Sequence, residues 1–156
     1  MSSQQSTQMP SILKGDDVFS NLNRIQKSIQ ERAYDIFHDR DSNSGNALSD
    51  WLKAESEVLS DINMTLKDDK DQVVIEGEID KFLPEDIEIK AQDGAFTICG
   101  IHTEKSSSEK KGVTRKSSTQ SNFYRSFALP DSVDTEKMKV EMKSGKFTAK
   151  IPKTSH

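Results

Sequence analysis

Between residues 123 and 153 apolar side chains recur at every second position, and this period limits the fold more than any other feature. Phe123, Phe127 and Leu129 alternate with polar residues. Met138, Val140 and Met142 do the same, and then Phe147, Ala149 and Ile151. A period of two sends successive side chains to opposite faces of a strand, so each stretch reads as a strand with one buried face. Pro130 and Pro152 close the first and third strands, because proline has no amide hydrogen for a ladder. Ser144-Gly145 is a turn signal that makes the last two a hairpin. Arg125 is the one charged residue on the apolar face of the first strand.

The same period runs upstream through Ile62, Met64 and Leu66, then Val73, Ile75 and Ile79, then Ile87, Ile89 and Ala91, then Phe96, Ile98 and Gly100. Gln92-Asp93-Gly94 is a hairpin signal between the last two. About seven strands with no helical crossover between them favour an antiparallel sandwich over parallel α/β units.

Residues 16–38 follow a different period. Val18, Leu22, Ile25, Ile29, Ala33 and Ile36 form a helical stripe, with Phe19 and Phe37 beside it. Asp16 and Asp17 stand at its start, where the helix dipole favours negative charge. After a loop composition at 39–46, a second helix is predicted at 49–59, with Trp51, Leu52, Val58 and Leu59 on its apolar face. Two helices this short cannot bury both stripes alone. They are expected to pack on another copy, on the β domain or on a client. Together they make a helical region spanning 16–60, ahead of a β domain at 61–153. The Ser/Gln-rich residues 1–15 read as a disordered tail. Residues 102–121 contain a single apolar residue, Val113, and read as a long loop or arm inside the sheet region.

Charged residues make up 31% of the chain and the net charge is −4, so there is no basic face for nucleic acid. Cys99 is the only cysteine; it lies in a strand without flanking lysine or arginine and reads as a buried structural thiol. His38, His102 and His156 have no His or Cys neighbour at ligand spacing, so no metal site is named. No phosphate loop, nucleophile elbow or recognisable acid/base pair occurs, so neither catalysis nor a cofactor is expected. No stretch approaches the length of a membrane span and no apolar leader follows Met1, so a cytoplasmic protein is expected.

Phe123, Arg125, Phe127, Leu129 and Pro130 match the strand Phe-x-Arg-x-Phe-x-Leu-Pro of the α-crystallin domain. The chain thus resembles the small heat shock proteins. Gly145, Pro152 and Lys153 fit that family's second signature, while Val140, Ser144, Lys146 and Phe147 depart from it. Arg32-Ala33-Tyr34 and the run from Asp50 through Trp51 to Glu55 resemble a small bacterial helical hairpin of unknown function.

The resemblance implies a mainly β protein, an immunoglobulin-like antiparallel β-sandwich behind a short α-helical region. It also implies an ATP-independent holdase that binds partly unfolded client proteins. The client-binding residues expected are Phe19, Leu22, Ile25, Ile29, Ile36, Phe37 and Trp51 in the helical region. Val73, Ile75, Met138, Val140 and Met142 are expected in a groove of the β domain. Val113, Thr114 and Arg115 would form an exchanged strand in a homodimer, with Arg125 in the dimer interface paired to a carboxylate. The family's usual aromatic and glutamate are replaced here by Val113 and Ser117. The chain stops three residues after Lys153, without the family's Ile-x-Ile tail, so residues 154–156 read as a truncated tail and a dimer or small oligomer is expected. A non-enzymatic adaptor that binds one specific protein partner is the alternative.

Overall fold

The structure, a computed structural model, describes residues 10–40, 45–130 and 132–154. The tail at 1–9, most of the loop between the helices and the last two residues, including His156, lie outside the described residues. Among the described residues, eight strands form two sheets. The first holds β1 (Ser11–Leu13), β4 (Ile87–Gln92), β5 (Ala95–Lys110) and β6 (Val113–Ala128) in the order β1-β4-β5-β6. The second holds β2 (Asn63–Asp68), β3 (Gln72–Glu78), β7 (Lys139–Lys143) and β8 (Lys146–Pro152) in the order β2-β3-β8-β7.

The alternation decides the packing. Ile87 and Ile89 of β4, Phe96 and Ile98 of β5 and Phe123 of β6 face inward from the first sheet. Val73 and Ile75 of β3 and Phe147, Ala149 and Ile151 of β8 face them from the second. All are buried, and the rings of Phe96, Phe127 and Phe147 meet at tilted angles with centroids 6.3–6.5 Å apart. Such aromatic contacts add to plain area burial. The antiparallel sandwich expected from the period of two is therefore present.

Two regions differ from the composition-based expectation. Ser11–Leu13, assigned by composition to a tail, pairs in parallel with β4 in the register Ile12↔Ile89. Three residues carry too little periodicity to be read as a strand, but they cover an edge that would otherwise be bare. The arm at 102–121 is a β-ribbon and not a loop: β5 and β6 stay paired from Ala95↔Ala128 out to Lys110↔Val113. Lys111 and Gly112 turn the ribbon with φ of 54° and 79°, the left-handed pair of a two-residue hairpin. Its polar side chains alternate without any hydropathy contrast, so the strand period is invisible in the sequence.

Helices α1 (Ser20–Asp39) and α2 (Ala47–Val58) form an antiparallel hairpin on the outer face of the first sheet. The first begins four residues later than the expected start at 16. Asp16 and Asp17 therefore precede the helix, and the Asp17 carboxylate accepts the Lys14 amide. Asn46 caps α2 by accepting the Ser49 amide at 2.9 Å, while Ser49 Oγ accepts the Asn46 amide.

Candidate functional site

Two surfaces stand out: the helical hairpin with the sheet face beneath it, and the ribbon. Even-numbered β5 residues such as Phe96 and Ile98 face the sandwich, so Cys99 and Ile101 must point outward. Cys99, Ile101, Ile25, Ile29, Ile36 and Ala54 form a second buried cluster, separate from the sandwich core. Phe19, Leu22, Trp51 and Val58 pack around it, half-buried. The hairpin has thus taken the β domain as its partner.

The hairpin is braced within itself. Arg40 at the end of α1 reaches Asp50 of α2 through two hydrogen bonds of 2.8 and 3.1 Å, and Asp50 is buried. Arg32 holds Glu57 with bonds of 3.1 and 3.0 Å, which pulls the Glu57 carboxyl below its usual range. Planar guanidinium and carboxylate groups suit such paired bonds.

Its hold on the sheet is thinner. Phe19, the residue just before α1, offers no capping oxygen, and the helix's first turn holds no acidic residue. The role falls to Glu88, across the fold on β4. Glu88 accepts the Asn21 amide at 2.9 Å and the Ser20 hydroxyl at 3.1 Å. A carboxylate at a helix N-terminus satisfies free amides and matches the dipole. Asn21 Nδ2 also donates to the Asp86 carbonyl, and Lys90 Nζ to the Asp17 carbonyl. At the other end, buried Asn122 donates to the Val58 carbonyl, and its own carbonyl accepts the Ser60 amide at 2.7 Å. Glu88 was not among the residues expected at the site. A glutamate between Ile87 and Ile89 reads as an ordinary solvent-facing strand position. The sequence placed Asp16 and Asp17 at the helix start, so nothing in it pointed to a cap supplied from β4.

Cys99 lies under the hairpin with Sγ 3.8 Å from Glu88 Oε1. Burial, followed by the nearby carboxylate, pushes its thiol up to about 12. This is a structural thiol, as its flanking residues imply. Of the histidines, His38 stacks edge-on against Tyr34, and His102 Nδ1 lies 2.7 Å from Asp86 Oδ2.

The expected client-binding residues fall into three groups. Ile25, Ile29 and Ile36 are buried between hairpin and sheet, and Val73, Ile75 and Val140 are buried in the sandwich. Phe19, Leu22, Trp51, Met138 and Met142 are half-buried. Phe37 is exposed, with the Arg40 guanidinium 5.3 Å from its ring centroid. Val18, Tyr34, Leu48 and Leu52 are exposed as well, so the helical region carries most of the large apolar surface among the described residues.

Val113, Thr114 and Arg115 lie exposed at the ribbon tip, paired within the chain to Lys110, Glu109 and Ser108. Arg125 donates to the Ile62 carbonyl at 2.6 Å. It lines an open cleft of about 630 Å³ together with Leu52, Glu55, Leu59 and Tyr124.

The described residues thus form a two-sheet sandwich with an outward ribbon, a docked helical hairpin and exposed apolar side chains. Residues 65–156 match the Hsp20/alpha crystallin family, and the chain belongs to it. Residues 26–60 match a protein family of unknown function, DUF2934. Among solved structures, a small heat-shock protein from Xylella fastidiosa is 28% identical, with a TM-score of 0.50, covering 62% of this chain and 89% of that one. Stress-induced protein 1 from Caenorhabditis elegans is 24% identical over 59% of this chain and 88% of that one, with a TM-score of 0.43. AgsA from Salmonella typhimurium is 21% identical over 62% of this chain and 90% of that one, with a TM-score of 0.45. The family is that of small heat shock chaperones. Among the described residues no helix is long and apolar enough to cross a membrane.

Proposed function

We propose that this protein is an ATP-independent holdase. Partly unfolded chains expose apolar side chains and unpaired strand edges, and these surfaces drive aggregation. A protein without an energy source keeps them dispersed by binding them. The observation that carries the reading is the uneven apolar surface. Val18, Tyr34, Phe37, Leu48 and Leu52 are exposed within the helical region, on a chain whose residues are 31% charged. An apolar patch beside a charged surface can hold a client and keep the complex dissolved.

Self-association through the ribbon belongs to the same proposal, with Val113, Thr114, Arg115 and Arg125 at the contact. A two-stranded polar ribbon is marginal in water without a further strand. Beyond Ile101 neither edge of the ribbon carries a third strand among the described residues, apart from the single Leu59↔Asn122 bridge on β6. A second copy would supply that partner and give a homodimer or small oligomer.

The test is the heat-induced turbidity of an unrelated enzyme, without ATP, with this protein added. Suppression is expected at about one subunit per client, as stoichiometric capture requires. No suppression at several-fold excess would end the holdase reading and favour an adaptor for one specific partner.

A further inference from the structure

The net charge of −4 hides a division of charge along the chain. Within 103–121, Lys105, Lys110, Lys111, Arg115 and Lys116 stand against only Glu104 and Glu109, so this stretch carries +3 and the remainder −7. We infer that the β5–β6 ribbon is a DNA-binding arm. It lies in the major groove of a B-form duplex and contacts the phosphates without reading the sequence. This goes beyond the holdase reading and does not depend on it.

The five cations have no charged partner at home. All are exposed, and among the described residues none makes an ion pair within the chain. Of the two carboxylates, Glu104 already lies 3.6 Å from His102. The strand register then sorts the cations, because residues opposite one another on antiparallel strands share a face. Lys105↔Ser118 and Ser107↔Lys116 put Lys105 and Lys116 on one face. Ser108↔Arg115 and Lys110↔Val113 put Arg115 and Lys110 on the other. Lys111 stands at the turn between them. Lys105 and Lys116 border an open hollow of about 260 Å³, and Lys110 and Arg115 border another of about 510 Å³. Serine hydroxyls line the first hollow, among them Ser107 and Ser118. Lysine, arginine and serine are the side chains that hold phosphate oxygens.

Two cations on each face point to a groove. A flat anionic surface, whether a membrane or an acidic protein, meets one face of a ribbon and leaves the other pair in water. A groove has a phosphate strand on either side, so both faces are engaged. The dimensions agree, since a major groove about 12 Å wide admits a two-stranded ribbon. Beyond Ile101↔Asn122 the ribbon continues through nine residue pairs to Lys110↔Val113. At the rise of a strand that is about 30 Å, close to the roughly 34 Å of one duplex turn.

The acidic body does not cancel the attraction. Lys105, the cation nearest to it, lies about 13 Å out along the strand, beyond the Debye length of about 8 Å at physiological salt. Repulsion from the body confines the duplex to the ribbon. A third strand from a second copy would widen the ribbon by about 4.8 Å, so duplex and second copy exclude each other there.

The test is the fluorescence anisotropy of a fluorescein-labelled DNA duplex, titrated with the full-length protein over a range of NaCl concentrations. Binding in the micromolar range is expected at about 50 mM NaCl, and log K should fall with log[NaCl] at a slope of about −4. Lys105→Gln with Lys116→Gln should reduce that slope by about two, and Lys110→Gln with Arg115→Gln should do the same. Glu109→Gln should tighten binding. All these side chains are exposed, so the β-sheet circular dichroism of each variant should match that of the native chain. Duplex RNA, whose major groove is too narrow for side chains to read, should bind more weakly.

No change in anisotropy at about 50 mM NaCl, or a slope that neither double variant moves, would overturn the arm. Loss confined to one double variant would overturn the groove, because only one face would then be in contact. Tighter binding of phosphatidylserine vesicles than of the duplex would do so in favour of a membrane. Equal binding of duplex RNA and DNA would also overturn the groove.

Discussion

The sandwich interior and the seam under the helices are both apolar, yet they are built differently. The sandwich joins two sheets through strands distant in sequence, with Val73, Ile75, Phe96, Phe147 and Ile151 wholly buried. The seam joins a helical hairpin to one sheet face through Cys99 and Ile101, and its ion pairs brace the hairpin internally. A fold with one deep core and one shallow seam has unequal local stabilities. The deep core is expected to open last, and the shallow seam first.

The largest effect should come from the deep core. Phe96→Ala removes a ring that meets both Phe127 and Phe147 and should cost about 3–5 kcal/mol. In urea denaturation, the Trp51 and sheet signals should both move to lower midpoints. Ile25→Ala cuts into the seam and should cost about 2–4 kcal/mol of hairpin docking. It should lower the Trp51 midpoint while the sheet midpoint stays close to native. Equal shifts in both signals would show that core and seam are one cooperative unit.

Glu57→Gln should act more weakly, because the Arg32–Glu57 pair is exposed and screened by salt. The folded-state carboxyl lies below its ordinary value, so its contribution is present above the ordinary carboxylate range and is lost as pH falls through the folded value. The native Trp51 midpoint should exceed that of the variant at neutral pH and converge with it in acid. A difference that persisted in acid would place the effect outside the ion pair.

Shortening the ribbon by removing 106–117 should change stability least, within about 0.5 kcal/mol, because these residues are exposed. Light scattering should nevertheless show a drop in mass to that of the monomer. An unchanged mass would move the contact between copies away from the ribbon.

The sequence was most legible where one face of a strand is buried. Strands β2 to β4 and β7 to β8 follow the period of two closely, and Phe123 faces inward as its alternation implies. The ribbon was not legible as strand, because Ser106, Ser117 and their neighbours are polar on both faces, and its turn at Lys111-Gly112 emerges only from the structure. The helices were legible from their stripe, but their partner was not. Periodicity shows that Ile25 and Ile29 are covered and is silent on what covers them. Glu88 was illegible for the same reason, since its role depends on a helix end 67 residues away.

Hydrogen exchange of the full-length protein, with and without a heat-unfolding client, tests the central claim most directly. The account predicts that the client changes exchange within 20–58 and at Cys99 and Ile101, while β3 and β8 remain as protected as before. A client footprint on the sandwich strands with none on the hairpin would contradict it.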